Sequence, residues 1–249
     1  MTAQADTKPS SKGRKRGGPL RITQSMIVAA ARGMDPQTLT MQAVANQLGV
    51  DRKALNYHVT DRDGLLQLLA ADVFESTFAE GFQPYFDAAG MTSDTDWKVA
   101  IRTWAETVRD SMVAVGVASN FYRLSSDNLA VFEPAEFVLQ QMLRAGFDLA
   151  TAGRGLAFVT HFAMAVGRDI IMESQLGDHP QAAEVKRLLE RGQDKDGYEA
   201  FRGLVALEIN SPSDAVTQFN FEIDVFIAGM EDRLDPHTSP IPARPSETS

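Results

Sequence analysis

Apolar side chains recur three and four residues apart along nearly the whole stretch between residues 19 and 234. No segment shows the strict apolar–polar alternation of a half-buried strand, so the pattern predicts an all-α chain. A first helix is expected from Thr23 to Arg32, with Thr23 accepting a free backbone N–H and Gly33 and Pro36 closing the other end. A second, from Thr40 to Gly49, presents Met41, Val44, Ala45 and Leu48 on one side. A third runs from Asp51 to about His58, with Ala54 and Leu55 facing in, and a fourth is capped by Thr60 or Asp61 and ends near Pro84. Residues 61–234 read as about six or seven helices. One carries Trp97, Ile101, Trp104, Val108, Met112 and Val115. Others begin at Pro134 and at about Leu149, and the last carries Val216, Phe219, Ile223, Phe226 and Met230. Residues 177–213 are weakly patterned and read as a loop with one or two short helices.

Leu48-Gly49-Val50 between two short helices is the pattern of a helix-turn-helix. The turn needs a residue tolerant of positive φ, and apolar positions on both helices hold them at a fixed angle. The helix after the turn carries Arg52, Lys53, Asn56, Tyr57 and His58, donors suited to base edges and phosphates. Charge sharpens this reading. The chain of 249 residues has a net charge of −9. Residues 1–60 hold nine basic and three acidic side chains, a net of +6, whereas the remainder holds 15 basic and 30 acidic, a net of −15. A basic end suits a polyanion, and an acidic body suits a separate task.

The order of elements strengthens the case. The stretch from Arg21 to Leu66 contains Thr40-x-x-x-Val44-Ala45-x-x-Leu48-Gly49-Val50 and Leu55-x-x-His58-Val59-x-x-Arg62-x-x-Leu65-Leu66. It resembles the N-terminal domain of the tetracycline-repressor (TetR) family. The resemblance implies a homodimeric regulator, usually a repressor, that binds operator DNA and is released by a small-molecule effector in the C-terminal domain. It places Thr40 and Arg62 on phosphates, Arg52 and Lys53 at base edges or nearby phosphates, and Tyr57 and His58 against the backbone. Gln42 and Asn56 complete the expected DNA-facing set. Asn56 stands where the family has the first of an aromatic pair, and the link between the first two helices is about three residues short, with Pro36 in place of a Gly-aromatic.

Four segments are therefore expected: a disordered basic arm (1–18), a DNA-binding domain (19–65), a ligand-binding and dimerisation domain (66–234) and a disordered tail (235–249). The last helix is apolar on two sides, which calls for two burying surfaces, one of them a partner subunit. The resemblance also implies a dimer bundle made from that helix and the long one near Ala163, so Ala163, Gly167, Phe219, Ile223 and Phe226 are the expected interface. Large or soft side chains of the middle helices, Trp104, Phe137, Met142, Phe158, His161 and Met164, are the candidates for an apolar effector pocket. His161 is the preferred one, as an ionisable group in an apolar run.

Other classes find little support. The chain has no cysteine, which excludes disulfides and thiolate metal sites. Its four histidines, His58, His161, His179 and His237, lie far apart, and no nucleophile elbow, phosphate loop or dinucleotide fingerprint is present. No enzyme activity, metal or cofactor is expected. No apolar run is expected to span a membrane, since Arg154, His161 and Arg168 interrupt the most apolar region, so no membrane partner and a cytoplasmic location are expected. The alternative from another class is a helical ligand-binding or protein-interaction module that does not read DNA.

Overall fold

The computed structural model describes residues 22–87, 95–124, 131–176, 182–192, 197–206 and 215–234. The arm at 1–18 and the tail at 235–249 lie outside the described residues. Among the described residues there are helices and no strand, as the periodicity requires. In chain order the α-helices are α1 (Gln24–Ala31), α2 (Met41–Leu48), α3 (Arg52–Leu55), α4 (Arg62–Asp87), α5 (Trp97–Val115), α6 (Phe132–Ala145), α7 (Leu149–Leu176), α8 (Ala182–Gly192), α9 (Glu199–Ala206) and α10 (Ala215–Glu231). A 3-10 turn, Gly116–Phe121, follows α5, and another, Asp232–Leu234, follows α10.

Local chemistry sets the starts of the N-terminal helices. Thr23 accepts from Met26 N, Thr40 from Ala43 N at 3.1 Å and Asp51 from Lys53 N at 2.7 Å, each satisfying a donor that the helix leaves free. Asp61 does the same for α4, accepting from Gly64 N at 2.9 Å. Gly49 ends α2 in the left-handed region with φ 66°, and Val50 N donates back to Ala45 O at 3.0 Å. This reverses the chain sharply and starts α3 at once. The third helix is shorter than expected: regular α-helix stops at Leu55, and His58 N and Val59 N both return to Leu55 O. In contrast, α4 outruns its expected end and continues past Pro84 to Asp87. Proline there withdraws a single N–H, and the helix persists through it.

Packing centres on α5. Its buried stripe of Trp97, Ile101, Trp104, Val108, Met112 and Val115 lies against α4, α6 and α7. Burial is continuous from Ile27, Val44 and Leu55 through Leu65, Leu66, Phe74 and Phe78 of α4 to Met142, Val159 and Ile223. Helix α4 thus crosses the domain boundary expected at residues 65 and 66 and is shared by both sides. Approach of α7 to α5 is close at Gly167, where an added Cβ would stand 2.7 Å from Met112 Cβ and 3.0 Å from the Arg109 carbonyl oxygen. Contrary to the expectation that no apolar run approaches a membrane span, residues Leu149–Gln175 of α7 have the length and mean hydropathy of one. Its Ala152, Val159 and Ala163 are nonetheless buried against the rest of the chain, and α5, α6 and α10 all pack on it.

Candidate nucleic-acid interface

The residues expected to face DNA fall into two groups. Thr40, Gln42, Arg52, Lys53, Asn56 and Tyr57 are exposed on the start of α2 and along α3 and its end. Leu55, on the opposite side of α3, is fully buried and anchors it to the core. Tyr57 is 90% exposed, an unusual state for a large aromatic ring in a well-packed domain. Thr40 uses its oxygen lone pair for capping, which leaves the hydroxyl proton for another acceptor. Gln42 donates to Asn46 at 2.8 Å along the exposed side of α2.

His58 and Arg62 form the second group, and both are half-buried. Arg62, for which the resemblance implied a phosphate, turns inward. Its Nε donates to Leu39 O at 2.8 Å, and its Nη2 to Pro36 O at 2.8 Å and Gln37 O at 3.1 Å. The short α1–α2 link exposes those carbonyls to the guanidinium, which corrects the expectation of an outward side chain.

A junction that the sequence did not reveal lies beside this surface. Arg32, just past α1, donates from Nε to Asp72 Oδ2 at 2.5 Å and from Nη2 to Ser76 Oγ at 3.1 Å, both on α4. Glu75, one step along α4, has its carboxyl pushed up by burial and then by the charge of Asp72. The phenol of Tyr122, stacked on Phe74 at 4.2 Å, is pushed up to about 12 by burial and by Glu75. A cavity of about 320 Å³ opens next to them, lined by Arg32, Met34, Pro36, Leu69, Val73 and Val115 among others. A single arginine after three alanines carries no local signal of such a role, because its partner lies 40 residues away.

The candidate effector residues differ in exposure. Phe137 and Met142 are buried core. Trp104 packs edge-on against Phe78 at 5.1 Å and Phe82 at 6.0 Å and donates Nε1–H to Thr160 Oγ1 at 2.8 Å, so its polar atom already has a partner. Met164 is half-buried. Phe158, 59% exposed, and the exposed His161 point away from the core. The reason is helical register: Ala152, Leu156, Val159 and Ala163 turn one side of α7 inward, and residues 158 and 161 fall on the other.

The residues expected at a dimer interface lie mostly inward in the single chain. Ala163, Phe219 and Ile223 are buried within the chain itself, as is Gly167. Phe219 stacks on Phe162 at 5.6 Å, with the Arg109 guanidinium 4.3 Å from its ring centre. Only Phe226 looks partly outward, stacked on Phe158 at 5.3 Å. The outward side of α10 carries Phe221 and Val225 instead, at 61% and 56% exposure. Among the described residues no group of three or more His, Asp or Glu is placed to hold a metal ion.

Comparison with known proteins agrees with this architecture. No protein-family model matches the chain. It is 26% identical over 140 residues to the class A tetracycline repressor protein from transposon 1721 of Escherichia coli, a match covering 56% of this chain and 59% of that protein's length. Against the class D tetracycline repressor protein of Escherichia coli it is 23% identical over 203 residues, covering 75% and 88% respectively. Among solved structures, a possible TetR family transcriptional regulator from Streptomyces coelicolor A3(2) superposes with a TM-score of 0.64 at 19% identity, over 85% of this chain and 100% of that one. The TetR family protein ActR of Streptomyces coelicolor, solved in complex with actinorhodin, gives 0.62 at 19% identity, over 88% and 100%. The chain is thus similar in sequence to two tetracycline repressors, at 23% and 26% identity, and shares its fold with solved TetR-family regulators.

Proposed function

We propose that this chain is a ligand-responsive repressor that binds operator DNA as a homodimer in the cytoplasm and leaves it when a small molecule binds. The observation that carries the reading is the exposed surface formed by Thr40, Arg52, Lys53, Asn56 and Tyr57 on a helix-turn-helix. An acidic body has no use for such donors, whereas a major groove and its flanking phosphates do. The basic arm at 1–18, with five Lys/Arg, would add backbone contacts or enter a minor groove.

Occupying successive major grooves takes two recognition helices about 34–36 Å apart, which requires a rigid dimer. The outward sides of α7 and α10, with Phe158, Phe221, Val225 and Phe226, offer an apolar face for it. Helix α4 starts at the DNA-binding domain and ends among the helices of the body, so it is the lever through which an effector shifts the spacing. The relatives support an effector: one structural neighbour is solved with actinorhodin, and another, from Acinetobacter baumannii, with minocycline. The effector must bind the DNA-incompetent arrangement better, and DNA then weakens the effector by the same factor.

The test is affinity for duplex DNA as a function of salt. A protein that neutralises several phosphates shows log K falling steeply with log salt, and Arg52→Ala should reduce the slope by about 0.9 if it meets one phosphate. A flat salt profile in the wild type refutes DNA binding and favours the module that does not read DNA.

A further inference from the structure

The three bonds of Arg62 single it out. It stands first in α4, and its planar fork meets the carbonyls of Pro36, Gln37 and Leu39 in the α1–α2 link. These carbonyls lie outside any helix and have no ladder partner of their own. A guanidinium presents donors in fixed directions and can satisfy several at once, which an ammonium on a flexible stem cannot. The link folds around the same point: Gln37 N donates to Asp35 Oδ1 at 2.8 Å, and Thr38 N to Asp35 O at 3.1 Å. It ends at Thr40, the cap of α2. Whatever fixes this link therefore fixes where α2 begins and, through the tight turn at Gly49, where α3 points. Arg32 holds the far side of the same unit to α4 through Asp72 and Ser76.

We infer that Arg62 is a positioning residue for DNA recognition: it ties the α1–α2 link to α4 and sets the angle of the recognition helix, and it does not touch DNA. The Nε and Nη2 donors, aimed at three protein carbonyls, are unavailable to a phosphate. The inference rests on the reading of this surface as DNA-binding. It also accounts for the short link with Pro36, since a link of this length leaves its carbonyls within reach of the first residue of α4.

The experiment compares wild type, Arg62→Lys, Arg62→Ala and Arg52→Ala on two duplexes. One is enriched by the wild-type protein from a random-sequence pool, and the other is a mixed-sequence duplex; both are titrated across a salt series. Amide hydrogen exchange is followed across residues 33–40. The positioning role predicts that Arg62→Lys and Arg62→Ala weaken the enriched duplex alike, by about tenfold or more, the loss of one base contact. The salt slope stays at the wild-type value, and exchange in the link accelerates in both. A phosphate role predicts the reverse: Arg62→Lys binds like wild type, Arg62→Ala loses about 0.9 of slope, and exchange is unchanged. That outcome overturns the inference and leaves the DNA reading standing, as does wild-type affinity in both variants. Should Arg62→Ala lose its helical signal, Arg62→Lys, which keeps charge and most of the volume, decides alone. A wild type with no salt-dependent duplex binding overturns the DNA reading and the positioning role together.

Discussion

Gly167 and Gly155 sit on the same helix, just over three turns apart, and both lack room for a side chain, yet alanine should affect them very differently. At Gly167 the new Cβ would lie 2.7 Å from Met112 Cβ and 3.0 Å from the Arg109 backbone oxygen, atoms fixed in the neighbouring helix. At Gly155 the nearest atom, also at 2.7 Å, is the terminal methyl of Met230, which can swing away. Both substitutions gain the same helix propensity, about 1 kcal/mol. That gain cancels when the two variants are compared, leaving the overpacking of α5 against α7, about 1–3 kcal/mol. Gly155→Ala should therefore match or exceed the wild type. Gly167→Ala should be less stable than Gly155→Ala by that margin, a gap of about 2–10 °C in melting temperature for a chain of this size. Urea unfolding followed by helical circular dichroism, at one fixed protein concentration, measures the difference. Equal midpoints for the two variants would refute the idea that α5 and α7 are held apart by rigid atoms at this point.

The two sides of α10 should separate folding from assembly: Ile223→Asp puts an unpaired charge in the core and costs about 4 kcal/mol or more, losing cooperative unfolding. Phe221→Asp should instead keep the helical signal and unfolding midpoint while halving the mass in light scattering, and an unchanged mass would remove the outward face as the interface. Glu75 has its carboxyl raised above the ordinary value, so the unfolded state holds fewer protons just above the unfolded value. Its penalty is absent below that value and grows as pH rises through the folded one, so Glu75→Gln should stabilise the protein at neutral pH and flatten its stability profile over that window. Equal pH profiles for wild type and variant would count against this. Deleting residues 1–18 should lower DNA affinity and flatten its salt dependence, and an unaltered slope would make the arm a passive tail.

What was legible in the chain followed from how local each signal is. Thr23, Thr40 and Asp51 are caps because a side-chain oxygen reaches a backbone N–H two or three residues on, which needs no tertiary context. The α5 stripe was readable because its other side is polar. On α10 the choice of inner face was not readable: Phe219 and Ile223 make one apolar stripe, Phe221 and Val225 another, and only packing against Phe162 and Arg109 selects the first. On α7, Phe158 and Phe162 are four residues apart yet end on different surroundings, one exposed on Phe226 and the other against Phe219. Arg62 and Arg32 look like surface charge in the sequence because their partners, 23 to 26 and 40 to 44 residues away, emerge only when α4 lies beside the N-terminal helices.

Two glycines in this chain resist replacement for opposite reasons, and the difference governs how the chain can drift. At Gly49 nothing lies within 4 Å of an added Cβ, and the only obstacle is a φ of 66°. A left-handed conformation costs an ordinary residue about 1–2 kcal/mol and asparagine less. The turn that orients α3 is therefore open to gradual exchange during divergence, Gly to Asn and onward, with the angle between the two helices preserved at each step. Gly167 offers no such path, because any side chain there requires a matching retreat at Met112 or in the backbone of α5. Descendants of this protein should vary the recognition turn one residue at a time and change the α5–α7 seam only through paired substitutions.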